Sequence, residues 1–182
     1  MELLQDRLQI GFFSVLWIAI LISMMLATED IFTEDYNDGS LEQTIIQESS
    51  FQVGIGLKVF VYWFLIGIPV SLLSFIFSFG TTQNFELSLP IFPLSLISSY
   101  IFLNIFVLGN SLSLNKGSVL GALVTMPIAL PVLIVLGKGM TALQFDINFE
   151  SFILLLLGSL SIIIVLIPVS YTHLTLPTMY TV

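Results

Sequence analysis

Apolar positions dominate the chain as five long runs separated by short polar breaks. The runs cover residues 10–27, 59–79, 89–109, 118–136 and 152–167. A helix needs about 20 mostly apolar residues to cross the hydrocarbon core of a bilayer, and each run is near that length. Within lipid an open sheet edge has no hydrogen-bond partner, so the runs are expected to be helices. A transmembrane barrel is excluded because its strands alternate apolar and polar, whereas these runs are continuous. The predicted fold is an all-α integral membrane protein, a polytopic bundle of five spanning helices.

The breaks set the organisation. Residues 81–88 and 110–117 read as polar turns. Residues 138–150 form a longer connection that could dip back into the interface. Residues 28–53 are the only sizeable extramembrane element. With no soluble domain, the chain's business outside the bilayer is to dock something.

Composition sharpens this. The 182 residues are 57% hydrophobic and 9% charged, with mean hydropathy +1.07, against roughly 25% charge in soluble domains. No cysteine is present, which removes disulfides, thiolate metal sites and cysteine nucleophiles. The net charge of −8 does not suit nucleic acid, which needs clustered Lys and Arg. Basic residues are Arg7, Lys58, Lys116 and Lys138. Alternate loops place two on each side, so the positive-inside count gives no orientation. Lys58, at the mouth of the second run, can snorkel. No targeting peptide precedes the first run.

Absent motifs narrow the function. No G-x-x-x-x-G-K-[ST] occurs, since Gly137-Lys138-Gly139 lacks both the earlier glycine and the hydroxyl residue, so the chain is not expected to hydrolyse ATP itself. No ionisable residue lies deep within a run, which argues against a proton-coupled carrier or ion channel. Asn104 is the most polar mid-span residue, read as interhelical glue in preference to a ligand contact.

After Pro168 the pattern breaks. VSYTHLTLPTMYTV resembles an in-frame translation of a transposon-type sequencing adapter. Residues 169–182 are therefore expected to be non-native, and His173, the one histidine, carries no functional reading. Residues 1–168 are expected to form the transmembrane domain.

Two features invite a functional reading. Pro69, Pro127 and Pro131 lie inside spans, where each removes a backbone hydrogen bond and can kink the helix. They are hinge candidates, with ordinary transmembrane packing as the alternative. Gly117, Gly121 and Ala122 would permit close helix contact in the same span. The second feature is the acidic segment. Glu29, Asp30, Glu34, Asp35 and Asp38 form a charged ladder, with Phe32 and Tyr36 four apart, so the first helix is expected to run on as an amphipathic extension. Asp38-Gly39 is a turn signal. Ser40-Leu41-Glu42-Gln43 matches the capping box, giving a fresh short helix with Leu41 and Ile45 on one face. On physics alone this is a solvated acidic connector or a docking element.

The segment IFTEDYNDGSLEQ resembles the heme exporter protein B family (CcmB), whose members carry a stretch like LFxDDxxDGSLEQ. Asp35, Asp38, Gly39, Ser40, Leu41, Glu42 and Gln43 match it. GSVLGALVTMPIALPVLI resembles another of the family's helices, including the proline pair Pro127 and Pro131. The resemblance covers residues 8–168. It implies a fold of the ABC-2 exporter type in the bacterial inner membrane, acting as permease subunit in cytochrome c biogenesis. It further implies a separate ATPase subunit (CcmA), the membrane partners CcmC and CcmD, and indirectly the heme-loaded chaperone CcmE. No cofactor is bound directly; heme is a possible substrate and ATP acts through the partner. The seven matched residues would form the ATPase-coupling loop. A non-transporting scaffold of the maturation complex, or an ABC-2 permease for another substrate, are the alternatives. The family has six spanning helices, so a further helix is expected before Met1.

Overall fold

The structure, a computed structural model, describes residues 2–29, 31–32, 37–39, 51–113, 118–144 and 150–162. Every regular element among them is helical. Helix α1 spans Glu2–Thr28, α2 Phe51–Tyr62, a π-helical segment Trp63–Gly67, α3 Ile68–Thr82, α4 Phe85–Ser88, α5 Ile91–Ser113 and α6 Ser118–Gln144. A shorter apolar helix, α7, covers Glu150–Ile162. Four stretches are long and apolar enough to cross a membrane: Gly11–Thr28, Val53–Thr82, Phe85–Ser111 and Leu123–Leu143. The fifth expected run appears as α7, and residues 163–167 of it lie outside the described residues.

Helix α5 is the axis of the bundle. Two thirds of its span (67%) is buried, against 22–39% for the other three, and α1, α3 and α6 pack around it. Its sequence explains how. Lipid tails are as apolar as Leu, so helices in a membrane associate through close fit and not through hydrophobicity. Towards α3 the chain supplies serines: Ser71, Ser74 and Ser78 on α3, and Ser95, Ser98 and Ser99 on α5, are all buried. Most of these hydroxyls donate to carbonyls of their own helix, as Ser71 Oγ does to Gly67 O (2.7 Å) and Ser99 Oγ to Leu96 O (2.9 Å). Small volume, more than cross-helix bonding, brings the two backbones together.

Towards α6 the approach is closer still. A Cβ on Gly109 would collide with the Thr125 side chain and come within 2.8 Å of the Gly121 carbonyl. The expected close contact at Gly121 is present, and Gly109 is the partner that the sequence pattern did not single out. Gly117 lies outside the described residues.

The second span is one continuous rod of 30 residues, Val53–Thr82, with a wide turn in its middle. Pro69 sits at the start of α3, immediately after the π segment. Lacking an N–H, proline cannot complete the α-helical ladder, and its ring crowds the preceding turn; the backbone widens there. The wide turn is fastened to α5: Trp63 Nε1 donates to Ser99 Oγ (3.2 Å), and its ring meets Tyr100 edge-on at 5.2 Å. The rod ends at Gln83, whose left-handed backbone (φ 51°) caps α3 by donating to Phe79 O. Asn84 Oδ1 then accepts from Glu86 N (2.9 Å) to start α4.

Three expectations change. α1 does not continue as a helix past Thr28; Glu29 and Ile31 make tight turns back to Leu26 O and Thr28 O. The Thr28 hydroxyl donates to Met24 O and Met25 O within the last turn. α6 runs on to Gln144 through Gly137-Lys138-Gly139, because interrupting a helix at membrane depth strands backbone groups without water. Asn104 is not interhelical glue: its Nδ2 donates to Tyr100 O of its own helix (2.7 Å), and its buried Oδ1 has no partner among the described residues.

Two stability outcomes follow in detergent-solubilised protein. Gly109→Ala forces α5 and α6 apart and should cost about 1–3 kcal/mol by overpacking, whereas Gly137→Ala, with nothing within 4 Å of its Cβ, should be neutral or slightly stabilising. A thermal unfolding series showing equal shifts for the two would refute the close approach. Asn104→Leu should change stability by less than about 1 kcal/mol, because it removes a buried acceptor that has no partner along with one local bond. A large loss in the same assay would restore Asn104 as an interhelical tie.

Candidate partner-coupling site

The acidic segment leaves the bundle at one end, and the local sequence fixes where it starts. α1 and α5 finish at the same end, because Asn110 Nδ2, in the last turns of α5, donates to Thr28 O at 2.8 Å. Beyond Thr28 the chain folds inwards. Ile31 and Phe32 are 1% and 2% exposed and belong to the hydrophobic core. Phe32 also receives a cation: Lys58 Nζ lies 5.9 Å from its ring centroid. The lysine read as a free snorkeler is half-buried against an aromatic face, where the ring quadrupole attracts it. Glu29, at the turn, is exposed to water.

Of the seven residues singled out for coupling, Asp38 and Gly39 are described, both exposed. Gly39 has φ +77°, the left-handed backbone that glycine adopts without Cβ strain. The turn expected at Asp38-Gly39 is therefore present. Asp35, Ser40, Leu41, Glu42 and Gln43 lie outside the described residues, as does the short helix expected after Ser40.

The hinge candidates are placed on the outside. Pro69, Pro127 and Pro131 are all exposed on the bundle surface. α6 stays a single helix through both of its prolines. Pro131, with Val132 and Val135, lines an apolar cavity of about 600 Å³ shared with Ser151, Leu155 and Ser159 of α7. The prolines therefore border open space and lipid, not the tight α5 contact.

Sequence reasoning missed Asn110, Phe32 and Lys58 as a group. Asn110 reads as a turn residue until α5 is seen to run on to Ser113. Phe32 next to acids reads as part of a solvated ladder. The available signal was the pair Ile31-Phe32, two large apolar side chains at the head of an acidic stretch.

Comparison with known proteins places this architecture. The family model described as CcmB protein matches residues 8–175. A heme exporter protein B of Haemophilus influenzae is 29% identical over 137 residues, covering 74% of this chain and 62% of the relative. The Pseudomonas aeruginosa protein of the same name is 31% identical over 137 residues, covering 74% and 60%. That of Escherichia coli K12 is 26% identical over 148 residues, covering 80% and 67%. The chain thus spans about three fifths of the length of the first two relatives. With the family match running through all the described spanning helices and the acidic segment, the chain belongs to the CcmB family.

Proposed function

We propose that this chain is the membrane permease subunit of an ABC transporter complex for cytochrome c biogenesis, acting in heme export or in release of a heme-loaded chaperone. The observation that carries the reading is the CcmB match over residues 8–175, supported by relatives named heme exporter protein B. The chain contains no nucleotide-binding motif, so the energy comes from a separate ATPase subunit, CcmA. CcmC and CcmD are its membrane partners, and the chaperone CcmE is reached through them. The complex sits in a bacterial inner membrane. Heme is the cargo and is not a resident cofactor.

In this reading the acidic segment is where the ATPase grips. Asp35 and Asp38 supply charge, Gly39 reverses the chain, and Ser40 and Gln43 cap a short helix. Leu41 fills an apolar notch in the ATPase. Glu42 stands in the first helical turn, where the dipole favours a negative charge, and meets a basic groove. A docked helix transmits a two-state change only if it is differentially held in the two states. Pro69, Pro127 and Pro131 are the places where spans bend in response, and their outward position lets them do so without disturbing α5.

Charge reversal tests the reading. In the full-length protein Glu42→Lys should leave membrane insertion and expression unchanged, since the residue lies outside the spans. Co-purification with the ATPase should fall about tenfold or more, as for other interfacial charges truncated or reversed, and c-type cytochrome yield should fall with it. Wild-type recovery of both would reduce the segment to a solvated connector.

A further inference from the structure

Three contacts converge where the acidic segment leaves the bundle, and together they tie its base to α5 and α2. The carbonyl at the end of α1 accepts from Asn110 of α5 at 2.8 Å. Ile31 and Phe32 are buried in the hydrophobic core of the bundle. The Lys58 ammonium, near the middle of α2, stands over the Phe32 ring at 5.9 Å. A connection held only by its two ends absorbs displacement in its own φ and ψ, which are soft. One seated a few residues after its start cannot. Lys58 lies on the rod that the same segment feeds, so the start of the segment is pinned to the helix that follows it.

We infer that Phe32, Lys58 and Asn110 form a latch that makes the base of the acidic segment one rigid body with α2 and α5. This inference rests on the reading that the segment docks an ATPase, and names the residues that carry its movement into the bilayer. Force on Asp38 and beyond reaches α2 through Phe32 and Lys58, and from α2 it enters the π segment, where Trp63 holds Ser99 of α5. Through Asn110 it reaches α5 directly. Both routes end on the most buried helix of the bundle, so the latch drives the helix on which the others are packed. The three side chains are positioning residues: they touch neither cargo nor nucleotide.

The chemistry of each contact sets the variants. Lys58→Met keeps length and removes charge; Lys58→Arg keeps the cation and stacks well on a ring. Phe32→Leu keeps most of the apolar volume and removes the π face. Asn110→Leu removes the donor at similar size. None of these 182 residues is cysteine, so with any cysteine elsewhere in the complex replaced by serine, nitroxide labels can be placed on Asn37→Cys and Val53→Cys, both exposed positions, in the full-length chain within its complex in lipid nanodiscs. With the latch intact the label distance should be narrowly distributed. Lys58→Met, Phe32→Leu and Asn110→Leu should broaden it, and Lys58→Arg should not.

In cells, the first three variants should retain ATPase co-purification while c-type cytochrome yield per unit permease falls about fivefold or more, the low end of ordinary coupling between sites. Lys58→Arg should restore the yield, which a merely structural role for the aliphatic stem would not require. A distance distribution as narrow in Lys58→Met and Asn110→Leu as in the unaltered chain would overturn the latch. So would an unchanged cytochrome yield in variants whose distance has broadened. Failure of the docking reading shows differently: Glu42→Lys would keep the ATPase bound, while the label distances still decide whether the latch is rigid.

Discussion

How closely another backbone can approach α5 governs the rest of the bundle. In hydrocarbon no apolar side chain gains by leaving lipid for protein, so a helix pair holds together by van der Waals fit and by backbone proximity. On one side of α5 the fit comes from serines, on the other from Gly109 meeting Gly121 and Thr125. Many large side chains, such as Phe64, Leu72, Phe77 and Ile134, face outwards, where lipid is their solvent, while others, such as Trp17, Phe102 and Phe106, fill the core. An apolar exterior is the reverse of a soluble protein's, and the bilayer is the reason.

The two kinds of contact on α5 differ in what they forbid. Serine hydroxyls satisfied within their own helices fix no register across the interface, since each would stay bonded if α3 shifted along α5. Bonds from α5 to other helices among the described residues include Trp63 to Ser99 at the π segment, a long one from Ser95 Oγ to Ser71 O at 3.5 Å, and Asn110 to Thr28 at the end. The first and last are side-chain donors with one acceptor each, and they do fix position. The α3–α5 face is therefore held in register at the π segment and only weakly beyond it, while the tie at the loop end belongs to α1 and α5.

Much of this was legible in sequence because the bilayer imposes it. Runs of about 20 apolar residues admit only one class of structure, and the turn at Gly39 follows from Asp-Gly chemistry within the chain itself. Helix ends were less legible. Gly137-Lys138-Gly139 carries the residues of a stop, yet α6 passes through it, because at that depth hydrogen-bond satisfaction outweighs propensity. The ladder from Glu29 to Asp38, with Phe32 and Tyr36 four apart, suggested helical continuation, whereas α1 ends at Thr28 and turns follow at Glu29 and Ile31. Least legible were Asn110, Phe32 and Lys58, since their roles depend on which helices end side by side. That is a property of the assembled bundle, and spacing along one helix does not contain it.

The three prolines inside the spans lie away from the tight contact between α5 and α6. Pro127 and Pro131 are four residues apart, on one face, and that face is turned away from α5. A proline kink opens a helix on the proline side, where the ring displaces the preceding carbonyl. Here that side meets lipid and the α6–α7 cavity, so bending α6 there need not break the Gly109 contact on the opposite face. The π turn before Pro69 has the same character: its wide geometry is already accommodated, and Trp63 tethers it by a single hydrogen bond and an edge-on ring. On the proposed reading, displacement where the acidic segment begins is taken up by bending at these outer prolines while α5 keeps its neighbours. That arrangement fits a subunit whose movement is driven from outside the membrane better than one whose own ionisable groups drive it from within.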